Sequence, residues 1–194
     1  MSQLSNTGFP SVGLPKSHLR DTHDLMDAAA HYRTLIALGR DEFLAAAAPA
    51  AFVRYREPGQ ANTFDQTMTI DQDSIDETLP HGQFNVTDIG IELYPLAKKP
   101  GASFPDRITL GRTSNNDICV ADHSVSRLHA YVRHHGHGWV VADAGSKNGS
   151  WLRGEALEPR RERPLTSRNV LRVGDVDLTF YSAIDLFSVL GGGA

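Results

Sequence analysis

Five polar residues could act together on one ligand: Arg112, Ser126, Arg127, Lys147 and Asn148. A phosphate needs positive charge and several directed donors. An arginine such as Arg112 offers a planar fork of N–H groups that matches two phosphate oxygens. Ser126 can add a hydroxyl hydrogen bond, and Arg127 a second charge or a backbone N–H. Asn148 can donate and accept at once, which suits clamping the main chain of an extended peptide. Gly111 and Gly149 flank these groups and permit close backbone approach or positive φ. The pattern describes a dianion site with a hook for peptide backbone.

These residues must be brought together by whatever elements carry them. Gly111-Arg112 ends an apolar run, Ser124–Ala130 leads into another, and Asp143–Ser150 separates two more. From about residue 84 the chain reads as short β-rich runs: Ile89–Leu96, Arg107–Gly111, Ile118–Val120, His129–Arg133, Gly138–Asp143, Ser150–Leu152, Asn169–Val173 and Asp177–Tyr181. Turn signals rich in Gly, Asn, Asp and Pro lie between them. Many short strands with no helices between them indicate an antiparallel β-sandwich over 84–182. Each polar group then sits where a strand meets a loop, the usual place for a binding site on a rigid scaffold.

The rest of the chain divides into four parts. Residues 1–20 lack periodicity and read as a disordered tail. Residues 21–57 read as a helical leader, because Leu25, Ala29, Tyr32, Ile36, Gly39 and Phe43 fall on one helix face. Asp21 is its expected N-cap, Gly39 a bend, and Asp41–Ala48 a second short helix before Pro49. Ala51–Tyr55 alternates weakly and could be extended. Residues 58–83 read as an acidic, Thr-rich linker, and 183–194 as a short helical tail.

The chain has 194 residues, a net charge of -4 and one cysteine, Cys119. The acidic balance argues against a general nucleic-acid binder. A lone cysteine cannot form an internal disulfide, so a cytoplasmic setting is expected. No apolar run approaches the roughly 20 residues of a membrane span, and the N-terminus lacks the pattern of a secretory signal. Residues 1–88 hold twelve acidic and six basic residues, so the remainder is net +2. A slightly basic sandwich suits an anionic ligand.

Other constellations are weaker. His134, His135 and His137 sit in a Gly-containing turn without Cys or carboxylate at ligand spacing, so no metal site is expected. Asp71-x-Asp73 lacks the glycine and glutamate of a calcium loop. Ser126 and His129, three apart on a strand, would face opposite sides, which disfavours a nucleophile–base pair. No enzyme active site and no cofactor is expected.

The stretches GRTSNNDICVADHSVSRLHAYV and WVVADAGSKNGSWLRGEAL resemble the forkhead-associated (FHA) family. The family pattern is Gly-Arg, Asn-Asp-Ile, Ser-Arg-x-His, then Asp-x-x-Ser-x-Asn-Gly, and all of it occurs in order. The resemblance covers roughly residues 88–182. It implies an antiparallel sandwich of about eleven strands whose loops at one end hold phosphothreonine. By analogy Arg112 and Ser126 contact the phosphate, Arg127 and Lys147 flank it, and Asn148 bonds the peptide main chain. His129 is implied to support the loops from beneath. Ser150 stands where Thr is common, and Arg153 where Asn is common before Gly154.

The expected function is a non-catalytic signalling adaptor for a phosphothreonine protein or peptide, a Ser/Thr kinase or its substrate. No nucleic-acid or membrane partner is expected, and the oligomeric state stays open. Thr67, Thr69 and Thr78 suggest phosphorylation sites through which the linker could occupy the pocket of its own chain. The alternative is a structural or oligomerising protein that pairs through its N-terminal helix, with a sandwich that ignores phosphate.

Overall fold

The computed structural model describes residues 23–56, 90–136 and 138–191. The chain order is α1 (His23–Leu38), α2 (Arg40–Ala46), β1 (Ala50–Arg56), β2 (Gly90–Pro95), β3 (Ile108–Gly111), β4 (Ile118–Cys119) and β5 (Ala130–His135). It continues with β6 (Gly138–Asp143), β7 (Ser150–Leu152), β8 (Glu155–Ala156), β9 (Arg163–Leu165), β10 (Val170–Val173), β11 (Val176–Ser182) and α3 (Ala183–Val189). The strands form a six-stranded sheet, β2-β1-β11-β10-β7-β8, and a five-stranded sheet, β4-β3-β5-β6-β9. The fold is mainly β, with eleven strands in two sheets. All described neighbours are antiparallel except β3 and β4, which pair in parallel at Leu110↔Ile118 and Gly111↔Cys119.

Period-two burial explains why these runs become strands. In β11, Val176, Leu178 and Phe180 are buried while Asp177 is exposed. In β5, Ala130 and Val132 are fully buried between Tyr131 and Arg133, which are not. The inward side chains of both sheets meet in one core that includes Phe52, Ile108, Leu110, Val132, Leu171 and Phe180.

The sandwich begins earlier than residue 84. Ala50–Arg56 is an inner strand, paired with β11 at Phe52↔Phe180 and with β2 at Phe52↔Tyr94. The strand extends the sandwich into the stretch read as a helical leader. Its alternation is weak for a physical reason: both of its faces are covered. Ala50 and Phe52 enter the sandwich core, whereas Ala51 and Val53 face a second apolar cluster. That cluster joins Tyr32 and Leu35 of α1, Phe43 of α2, and Leu186 and Phe187 of α3 to Leu93 and Tyr181. The helices therefore form a third layer on the outer face of the six-stranded sheet. Phe43 is fully buried, with its ring 5.6 Å from Tyr32 and 5.2 Å from Phe187. Tyr32, Leu35 and Ile36 of α1 are thus engaged within their own chain.

The strands β8 and β9 are absent from the sequence reading. With two and three residues they are too short to show a period. Asp21, the tail 1–20 and the linker 58–83 lie outside the described residues. In α3, Ser182 is the N-cap and accepts the Asp185 N–H. No described helix is long and apolar enough to cross a membrane.

Candidate functional site

Three loops meet at one end of the sandwich: 112–117, 120–129 and 144–149. The Arg112 backbone N–H donates to the Ser126 carbonyl at 3.0 Å, tying the first loop to the second. Asn116 Nδ2 and Thr113 Oγ1 both donate to the Arg127 carbonyl, at 2.6 and 3.0 Å. That carbonyl passes so close to Gly111 that a Cβ there would overlap it, and would also lie 2.8 Å from Asn116 Nδ2. Glycine is needed at 111 for this approach, not for its φ.

The second and third loops join through Ser126, whose Oγ accepts the Lys147 backbone N–H at 2.9 Å. One acceptor site of the hydroxyl is thereby used, and no described residue takes its proton. The Ser126 O–H is left to donate. Asn148 Nδ2 donates to the Ser124 carbonyl at 2.8 Å, while its Oδ1 has no partner among the described residues. Ser124 is itself held: its N–H and Oγ donate to Asp122 Oδ1 at 3.0 and 2.7 Å, and its Oγ accepts the Asp175 N–H at 2.9 Å.

Beneath the loops lies His129, fully buried. Its Nδ1 accepts the Ser126 N–H at 2.9 Å, and its Nε2 lies 2.9 Å from the Gly149 carbonyl. A backbone N–H can only donate, so Nδ1 is unprotonated and Nε2 carries the hydrogen. The ring is the neutral imidazole. Burial holds its pKa below the ordinary value, against the opposing pull of the Gly149 carbonyl and the Asp143 charge. The pairing with Ser126 uses that residue's backbone, in a loop and not on a strand as the sequence suggests. His129 cannot act as base for the hydroxyl because Nδ1 is already occupied.

The third loop is organised by Asp143, nearly fully buried. Its carboxylate accepts from the N–H groups of Gly145 and Ser146 at 2.7 and 2.8 Å, and from the hydroxyls of Ser146 and Ser150 at 2.6 and 2.5 Å. Burial pushes its pKa up, but these hydrogen bonds outweigh burial and the carboxyl sits below the usual range. Gly149 closes the loop at φ 83°, with room for a Cβ only 3.1 Å from the Trp151 ring.

The side chains of Arg112, Arg127 and Lys147 are exposed, and none is ion-paired among the described residues. The structure thus brings Arg112, Ser126, Arg127, Lys147 and Asn148 onto adjoining loops, with Gly111, His129 and Gly149 behind them. Thr67, Thr69 and Thr78 lie outside the described residues, as does His137. No three described His, Cys, Asp or Glu residues are placed to hold a metal ion. The supporting roles of Asp143, Ser124, Asp122 and Asn116 were missed. Asp143 had a signal: a carboxylate two and three residues before loop N–H groups forms an Asx turn. The Ser124–Asn148 contact joins residues 24 apart and had none.

Residues 108–174 match the FHA domain family model. An FHA domain-containing protein of Arabidopsis thaliana is 32% identical over 81 residues, which are 41% of this chain and 20% of that protein. The oxoglutarate dehydrogenase inhibitor of Corynebacterium jeikeium is 28% identical over 128 residues, 60% of this chain and 87% of that one. The chain therefore spans about a fifth of the plant relative and most of the bacterial one. The solved structure of Mycobacterium tuberculosis EmbR with a low-affinity phosphopeptide superposes with a TM-score of 0.44 at 18% identity, over 85% of this chain and 32% of that one.

Proposed function

We propose, on the premise that residues 108–174 form an FHA domain, that this protein binds phosphothreonine in extended peptides and acts as a non-catalytic regulatory adaptor. One observation carries the reading: the Ser126 hydroxyl accepts from the Lys147 N–H, keeps its proton to donate, and stands among exposed cations. Arg112 supplies the fork for two phosphate oxygens, and Arg127 and Lys147 supply flanking charge. Asn148, fixed through Nδ2, presents Oδ1 to a peptide N–H. The resemblance to the family implies a preference for phosphothreonine over phosphoserine, through a contact with the threonine methyl. The partner is a phosphorylated protein of the cytoplasm, a Ser/Thr kinase or its substrate. A regulatory rather than catalytic role accords with relatives named as inhibitors of an enzyme.

The test is binding of a degenerate peptide pool with one fixed phosphothreonine, against its unphosphorylated counterpart. Arg112→Ala and Ser126→Ala should each lose about 1.5–3 kcal/mol, the value of a charge-assisted hydrogen bond. Equal affinity for the two pools overturns the proposal.

A second reading concerns regulation. Arg56 and Gly90 are register partners, and Arg54 lies 3.6 Å from Asp122 in the 120–129 loop. The chain therefore leaves β1 at Arg56, two residues beyond Arg54, and returns opposite it at Gly90. Phosphorylated Thr67, Thr69 or Thr78 in the intervening stretch would meet the site at an effective concentration of roughly millimolar. The phosphorylated full chain should then bind the pool more weakly than the unphosphorylated chain. Equal binding excludes this self-occupancy.

A further inference from the structure

We propose that Arg54, on β1 and outside the stretch that matches the family, is a positioning residue for the Asn148 hook; this rests on the phosphopeptide reading above. A continuous set of contacts carries the argument. Arg54 Nη2 lies 3.6 Å from Asp122 Oδ2. The other oxygen of Asp122 accepts both the N–H and the hydroxyl of Ser124, and the Ser124 carbonyl accepts Asn148 Nδ2. Each link fixes the next group. Arg54 sets the rotation of the Asp122 carboxylate, Asp122 sets Ser124, and Ser124 sets the plane of the Asn148 amide.

Arg54 is itself held from behind. Its Nη1 donates to Glu92 Oε2 at 3.4 Å, and Glu92 also takes Arg56 Nη2 at 2.6 Å and the Tyr94 hydroxyl at 2.8 Å. The network lies on β1 and β2, the two strands that flank residues 57–89. Both Arg54 and Asp122 are about four-fifths buried, where an ion pair is less screened than at an open surface. The competing cation, His123, lies 3.6 Å from Asp122 Oδ1 but is 84% exposed. It cannot replace a guanidinium held on a strand. Without Arg54 the carboxylate keeps its Ser124 contacts but loses the partner that fixes its angle.

The experiment is a double-mutant cycle in the full chain, read with the degenerate phosphothreonine pool. Arg54→Met should weaken binding by about fivefold, and Arg54→Lys should restore part of that loss. In an Asn148→Ala background, Arg54→Met should cost nothing further, because the hook it positions is gone. A merely structural role predicts the same loss in both backgrounds. The Asn148 side-chain amide resonances in the unliganded protein give a readout that needs no ligand. Arg54→Met should move them toward the positions of a solvated amide. Unmoved resonances, or equal losses with and without Asn148, overturn the proposal. If the wild type binds neither pool but the resonances move, the phosphopeptide reading fails while the positioning role stands.

Discussion

His129 Nδ1 accepts the Ser126 backbone N–H at 2.9 Å, so the ring that supports the loops is locked as the neutral imidazole. Protonating Nδ1 would set a donor against a donor. Burial keeps the folded pKa below the ordinary value of about 6.5. The stability from the neutral ring is therefore fully present above about pH 6.5 and is lost as pH falls toward the folded pKa. Denaturant melts at pH 7.5 and 5.5 should show a larger loss on acidification for the wild type than for His129→Ala. The variant itself should cost about 1–3 kcal/mol at pH 7.5, because the Ser126 N–H and Gly149 carbonyl lose their partner. An identical pH dependence in both proteins would contradict this role.

Asp143 should control the site without facing it. Four donors from the 144–150 stretch converge on its carboxylate. Asp143→Ala should cost about 2–4 kcal/mol and release Lys147 and Asn148 from their loop geometry. Phosphopeptide affinity should fall although no ligand contact has been removed. The folded pKa is depressed, so the stabilising effect is present above the ordinary carboxylate pKa and is lost as pH drops through the folded value. Acid melts below pH 4 should show the difference from the variant shrinking.

Arg153 occupies an unfavourable backbone position. It has φ 54° and Gly154 has φ 84°, the two positive angles of a tight hairpin turn between β7 and β8. Asparagine tolerates that region better than arginine, and Asn-Gly is the preferred pair for such turns. Arg153→Asn should raise stability by about 0.5–1 kcal/mol and leave phosphopeptide affinity unchanged. A lowered melting temperature would refute it.

The contrast between Arg112 and Arg54 shows where the sequence was readable. Arg112, Ser126 and Asn148 lie in short motifs at loop entrances, where residue type states the chemistry. Arg54 and Asp122 come together only because β1 pairs with β2 and β11, and that pairing left little trace in the sequence. The covered outer face of Ala50–Val53 erased the alternation that marks a strand. Alternating runs such as Val176–Phe180 kept theirs, because their outward side chains, Asp177 and Thr179, are exposed or partly exposed.

The position of β1 makes the sharpest prediction about folding. A fragment of residues 84–194 contains every loop of the site but lacks β1. Its loss removes the strand between β2 and β11, and with it Phe52 from the sandwich core and Val53 from the helical cluster. β2 would have no described partner, and β11 would expose a long apolar edge, a template for aggregation. A fragment of residues 23–194 keeps both β1 and the helical layer. Circular dichroism should show a cooperative melt for the longer fragment and none for the shorter. Phe43→Ala in the full chain tests the third layer separately. It should cost about 3–5 kcal/mol, since the ring fills the junction of all three helices. Cooperative folding of the 84–194 fragment would mean that the sandwich closes without β1.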